Sequence, residues 1–241
     1  MKIRNKFTLF AVIISILATI GSLSLGFTNL KSVDDLFKSR QEEKESLFDQ
    51  LHKLKSSTLL SYAYDYTYWD DMVALAQKGE TSNFAKENID PSLDTYKANA
   101  TWVYKPDFTL VYSVSNLPED KLTSFPLPSE DLRQIFGNNL FPHFYVKVGS
   151  DVIEVAGAPI QPSSDIERKT TPQGYFLAGR VWDKTYLQEF SDLINGEVER
   201  DDDDSNQSFF ETDKQQGTVV FRRDLAGFDG KTVTGVHAEI K

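Results

Sequence analysis

The stretch TWVYKPDFTLVYSV, residues 101–114, decides the fold class. Each half alternates side chains and is rich in β-branched and aromatic residues, as a strand with one buried face requires. Between the halves, Lys105-Pro106-Asp107-Phe108 carries a Pro-Asp step that presets a tight turn. Strands joined by so short a connection run antiparallel, because a parallel pair needs a crossover of a dozen or more residues. The same signature recurs downstream. Phe144–Val148 and Val152–Pro159, split by Gly149-Ser150-Asp151, read as a second hairpin. Tyr175–Trp182 reads as a strand, and Thr218–Phe221 and Thr232–Ile240 as a late pair around Phe228-Asp229-Gly230-Lys231. Glu130–Phe136, with Ser129 as its cap and Gly137-Asn138 at its end, reads as a short helix. So does Lys184–Ile194, between Asp183 and Asn195-Gly196. Gln161–Gln173 is polar, proline-bounded loop. The expected class is α+β, with about six mostly antiparallel strands in one sheet and helices on one face.

Upstream the character changes. Lys2, Arg4 and Lys6 precede the uncharged run Phe7–Leu30. About 20 apolar residues suffice to cross the hydrocarbon core as a helix, and flanking basic residues stay in the cytoplasm. The run is long for a signal peptide, and only Ser22-Leu23-Ser24 weakly imitates a cleavage site. The expectation is an uncleaved, single-pass anchor in the cytoplasmic membrane, with the body in the periplasm or outside the cell. From Lys31 to about Ala63 neither Pro nor Gly occurs. Val33, Leu36, Phe37, Leu47, Leu51, Leu54 and Thr58 fall near three- and four-residue steps, which predicts a long amphipathic helix. The near-heptad stripe predicts a parallel homodimer through Lys31–Thr58. The chain thus divides into 1–30, cytoplasmic start and transmembrane helix; 31–63, a long membrane-proximal helix; and 64–241, an extracytoplasmic domain.

Composition excludes several functions. Among 241 residues there is no cysteine, so disulfides, thiolate zinc sites, iron–sulfur clusters and cysteine nucleophiles are ruled out. With 26 Lys+Arg against 36 Asp+Glu the net charge is −10, which argues against a nucleic-acid binder. His52, His143 and His237 show no metal-ligand spacing and read as surface or half-buried residues. Arg200-Asp-Asp-Asp-Asp-Ser-Asn206 lacks the Gly and Glu positions of a calcium loop and reads as solvated. Neither a metal nor a cofactor is expected.

The densest cluster is YAYDYTYWDD, residues 62–71. On a helix, Tyr62, Asp65, Tyr66 and Trp69 would share a face, with Asp70 and Asp71 beside it. Aromatic faces next to carboxylates can hold an organic cation. Equally, the tryptophan can fill the core while the carboxylates cap neighbouring backbone. Arg180, between Gly179 and Trp182, could grip a ligand carboxylate or pair with Asp70 or Asp71. The candidate ligand-binding set is Asp65, Trp69, Asp70, Asp71 and Arg180, with Trp69, Asp70 and Arg180 expected to converge at one sheet edge, at the base of a pocket.

The order of these pieces resembles a known family. Asp65-Tyr-Thr-Tyr-Trp69-Asp70-Asp71 is followed by Ala158-Pro159-Ile160 and by Gly174-Tyr-Phe-Leu-Ala-Gly179-Arg180. This pattern is similar to the fourth class of CHASE domains, extracellular sensory modules of bacterial and archaeal signalling receptors. The resemblance covers about Lys31 to Glu197. It implies a Cache- or PAS-like fold that binds a small molecule, does no catalysis and serves a cytoplasmic output module. That output, a histidine kinase of a two-component system or a cyclic-diguanylate cyclase or phosphodiesterase, lies in a longer product or a partner chain, since no such motif occurs here. The alternative is a secreted or anchored hydrolase using its acidic residues.

Overall fold

The computed structural model describes residues 3–79, 83–118, 121–201 and 218–240; before Val33, side chains are described only at 12 and 14–20. Helix α1 runs unbroken over Ile3–Tyr66. Among the described residues no helix is long and apolar enough to cross a membrane, and most side chains of Phe7–Leu30 lie outside them. Helix α2 (Asp70–Lys78), a π-helical turn (Ala85–Ile89) and α3 (Ser92–Tyr96) follow. Next come strands β1 (Ala100–Tyr104) and β2 (Leu110–Ser115), then α4 (Ser129–Asn138). Strands β3 (His143–Val148), β4 (Asp151–Ile160) and β5 (Gly174–Val181) complete the first sheet. The chain ends with α5 (Lys184–Ile194), β6 (Gly196–Arg200), β7 (Val219–Ala226) and β8 (Thr232–Ile240).

The strands form two sheets rather than one. The first has five strands in the order β2-β1-β5-β4-β3, and the second three in the order β6-β8-β7. Every pairing is antiparallel. The second sheet escaped the sequence reading because β6, GEVER, carries a single buried side chain, Val198. It becomes a strand by pairing with β8. The 101–114 hairpin forms as expected, and Phe108 takes φ 66° in its turn. The 149–151 turn puts Gly149 at φ 61°, where a side chain would be strained. Asp183 caps α5, its Oδ1 accepting the Tyr186 N–H at 2.8 Å. Ser129, in contrast, is the first residue of α4 and does not cap it; Pro128 holds that position. The acidic run leaves the described residues after Asp201.

Among the described residues, three apolar clusters make the core. The inner face of the first sheet packs Val103, Ala156, Ala158, Phe176 and Ala178 against α1, α2 and α3. Its other face is not open, as expected, but is covered by α4 and the segments around Phe108 and Phe125. The third cluster joins α5 and the second sheet to Phe48, Tyr145, Val152 and Trp182. Helix α1 therefore serves both sheets: Phe48 enters one cluster, and Leu59, Tyr62 and Ala63 enter the other, roughly 21 Å along the helix at 1.5 Å per residue. The apolar stripe of α1 also splits. Phe37 and Leu51 turn inward with Phe48, whereas Val33, Leu36, Leu47 and Leu54 are exposed at 59, 71, 38 and 67 %.

Candidate functional site

Helix α1 ends inside the aromatic cluster. Thr67 Oγ1 donates back to the Ala63 and Tyr64 carbonyls, competing with the helical ladder. Arg168, from the loop between β4 and β5, donates to the Tyr64 carbonyl and to Thr67 Oγ1. The chain then extends, with Trp69 at φ −128°, ψ 139°, before α2 begins at Asp70. Tyr62 and Trp69 are thus not on one helix. The rings still form one run. Tyr62 stacks on Tyr96 at 4.6 Å, Tyr66 stacks on Trp69 at 4.9 Å, and Phe84 closes edge-on at 6.1 Å.

The four acidic and aromatic candidates lie at this joint, on the surface. Trp69 is 38 % exposed, so it does not fill the core; Trp102 and Trp182 do. Asp70 accepts both the N–H and the hydroxyl of Ser163 at 2.9 Å, which holds its carboxyl below the usual carboxylate range. It therefore pins the β4–β5 loop, whose Gln161 N–H also reaches the Thr67 carbonyl. Asp71 is exposed in the first turn of α2. Asp65 is exposed beside a groove of about 290 Å³ shared with Leu60, Tyr64 and Phe141. Burial, assisted by the Asp65 charge, pushes the Tyr96 hydroxyl up.

Arg180 is elsewhere, and the expected meeting with Asp70 does not occur. It is 2 % exposed in the middle of the sheet, facing α1. Its Nε donates to the Lys97 carbonyl at 2.7 Å, and Nη2 to the Tyr96 carbonyl at 3.0 Å. Nη1 donates to the Lys55 carbonyl on α1 and to the Tyr186 hydroxyl on α5, both at 3.0 Å. Its counter-charge is Glu154, fully buried on β4, at 3.5 Å. A buried guanidinium needs a buried carboxylate, and the antiparallel register sets Glu154 directly opposite Arg180.

Glu154 is the residue the sequence reading missed. Its Oε1 meets His143 Nε2 at 2.9 Å, and its Oε2 accepts the Trp182 indole N–H at 3.1 Å. Burial alone would raise its carboxyl, but the His143 hydrogen bond and the Arg180 charge outweigh that and hold it down to about 2. Tyr145, opposite Glu154 on β3, shares a 2.6 Å hydrogen bond with His52 of α1. Burial pushes the His52 imidazole down, against the opposing charge of Glu154. The signal was present: one Glu in VIEVAGAPI and one Arg in FLAGRVW are lone opposite charges in apolar runs. Tyr145, Glu154 and Arg180 form a row across three strands, between Ala156 and Ala178 of one cluster and Val152 and Trp182 of another.

The motif glycines fit the same frame. A Cβ at Gly179 would stand 2.8 Å from the Trp102 ring, and one at Gly174 would stand 2.5 Å from the Tyr104 carbonyl oxygen. Both let β1 lie close against β5.

An antiparallel five-stranded sheet against a long N-terminal helix defines a Cache/PAS-like domain. The CHASE4 domain model matches residues 53–199, and the chain belongs to that family of extracellular sensory domains. No curated protein matches the sequence. Among solved structures, a crystal structure of the Vibrio cholerae LuxQ periplasmic domain is similar, with TM-score 0.54 and 12 % identity over 83 % of this chain and 97 % of that one. A second structure of that domain gives TM-score 0.52 and 9 % identity over 83 % and 98 %.

Proposed function

We propose that the chain is the membrane-anchored, extracytoplasmic sensor module of a signalling receptor, without catalysis of its own. Helix α1, unbroken over Ile3–Tyr66 and built into both cores, carries this reading. A helix that begins in the apolar N-terminal run and ends at the candidate site can pass a displacement along its axis. Val12, Ile14, Ile16, Leu17 and Ile20 are each more than half exposed, which suits lipid rather than water. The LuxQ domains that the fold resembles are periplasmic, which supports placing the body outside the cytoplasm.

In this reading Phe7–Leu30 spans the cytoplasmic membrane. A small molecule binds the aromatic and acidic rim of Asp65, Trp69 and Asp71. Asp70 and Arg180 hold the parts that must move together. The exposed Val33, Leu36, Leu47 and Leu54 pair with a second copy. The output, a kinase or a cyclic-diguanylate enzyme, lies in a longer product or a partner chain. A phosphatase reporter fused after Lys241 tests the topology: it should be active only when exported. Activity of a cytoplasm-dependent reporter at the same point overturns the scheme.

A further inference from the structure

The row Tyr145–Glu154–Arg180 is joined to solvent through His143. His143 lies on the edge strand β3, and its side chain is 29 % exposed, while those of Glu154 and Arg180 are 0 and 3 % exposed. The imidazole that holds the buried carboxylate is thus reachable by protons from outside. Imidazole is the side chain whose charge changes in the physiological pH range. From the carboxylate the connections run inward. Glu154 faces Arg180, and Arg180 holds the Lys55 carbonyl of α1 and the Tyr186 hydroxyl of α5. A second route passes from Tyr145 to His52, again on α1.

We propose that His143 is a proton-sensing residue whose charge state is passed through Glu154 and Arg180 to α1. The charged groups around it define the effect. Lys147 is on the same face of β3, Glu154 is on β4 and Arg180 on β5. Helix α1 presents His52, Asp49 and Lys55, and α5 presents Tyr186 and Glu189. With His143 neutral, Glu154 and Arg180 balance each other within the buried layer. With His143 protonated, the carboxylate is shared between two cations and the layer carries a net positive charge. The weaker of the two contacts, Arg180 at 3.5 Å against His143 at 2.9 Å, then gives way first. Arg180 has carbonyls of α1 and α3 to follow, so the change reaches the long helix. The inference rests on the sensor reading only in taking α1 as the element that carries a change onward.

The Trp182 indole N–H, bonded to Glu154, reports the event. In the full chain in mild detergent, its NMR signal should change with pH along a single sigmoid. That titration should vanish in His143→Gln, which keeps a donor but cannot titrate, and persist in His52→Gln. Because the chain has no cysteine, spin labels at Lys53→Cys on α1 and Lys184→Cys on α5 can be placed cleanly. Their separation should shift with the same midpoint. A Trp182 titration that survives in His143→Gln overturns the proposal, as does a label separation that ignores pH. If His143→Gln folds poorly, the wild-type His143 Cε1–H and Trp182 signals must share one midpoint, and different midpoints reject the assignment. None of these readouts involves an output module or membrane topology, so a failed reporter assay and a failed titration are separate results.

Discussion

Glu154 and Arg180 are single charges in otherwise apolar strand segments, and their burial makes each dependent on the other. Removing one partner of a buried pair is more damaging than the pair is stabilising. Arg180→Ala should therefore lower stability by about 3–5 kcal/mol, read from urea denaturation. Asp70→Ala, which changes an exposed contact to Ser163, should leave the melting temperature near wild type. An equal loss in both variants would contradict the assignment of Glu154 as the partner. Acid should expose the same dependence. The Glu154 carboxyl is held at about 2 in the fold against an ordinary 4.5. Its contribution is complete above about pH 4.5 and is lost as pH falls toward 2, about 3 kcal/mol in all. The stability gap between wild type and Glu154→Gln should close over that interval. The partner of Arg180 was readable from two lone charges in neighbouring strand signals. What was not readable was the register that sets them opposite each other, since register depends on contacts made only after the sheet assembles.

Helix α1 and the β4–β5 loop meet through Arg168, Asp70 and Gln161. Arg168 adopts φ 54° and lies over the Tyr64 ring at 4.5 Å, so its loop is shaped around the end of the helix. Arg168→Ala should release this loop and speed tryptic cleavage at the exposed Lys169, with little change elsewhere in the digest. Unaltered cleavage would show that Asp70 and Gln161 alone fix the loop. The outer side of α1 carries a different prediction. Leu47 and Leu54 are one heptad apart and exposed, while Leu51 packs inward. Single cysteines at Leu47 and Leu54 should cross-link between copies and one at Leu51 should not. The length and amphipathic nature of this helix were legible in its spacing. The division of its apolar residues into two faces was not, because a 3.5-residue stripe and a 3.6-residue stripe diverge only slowly along the chain. The end of α1 was also hidden, since Arg168 and Gln161 are about a hundred residues away in sequence.

Over the whole molecule, two sheets share one helix, and their cores adjoin across the charged row. Phe48→Ala should cost about 3–5 kcal/mol and should loosen the second sheet before the first. Amide exchange should accelerate in β7 and β8 while β1 and β5 stay protected, and uniform acceleration would argue for a single cooperative core. The antiparallel class was evident from the 101–114 hairpin, but the second sheet was not, because β6 acquires its character only from β8. The charged row also bears on how the chain finds its fold. Strands β4 and β5 are almost uniformly apolar, VIEVAGAPI against YFLAGRV, so the face each side chain takes does not by itself tell one alignment from another shifted by two residues. A slip of two residues would keep every side chain on its own face but would set Arg180 opposite Val152 or Ala156 and part it from Glu154. The pair thus marks out one alignment among rungs that are otherwise apolar.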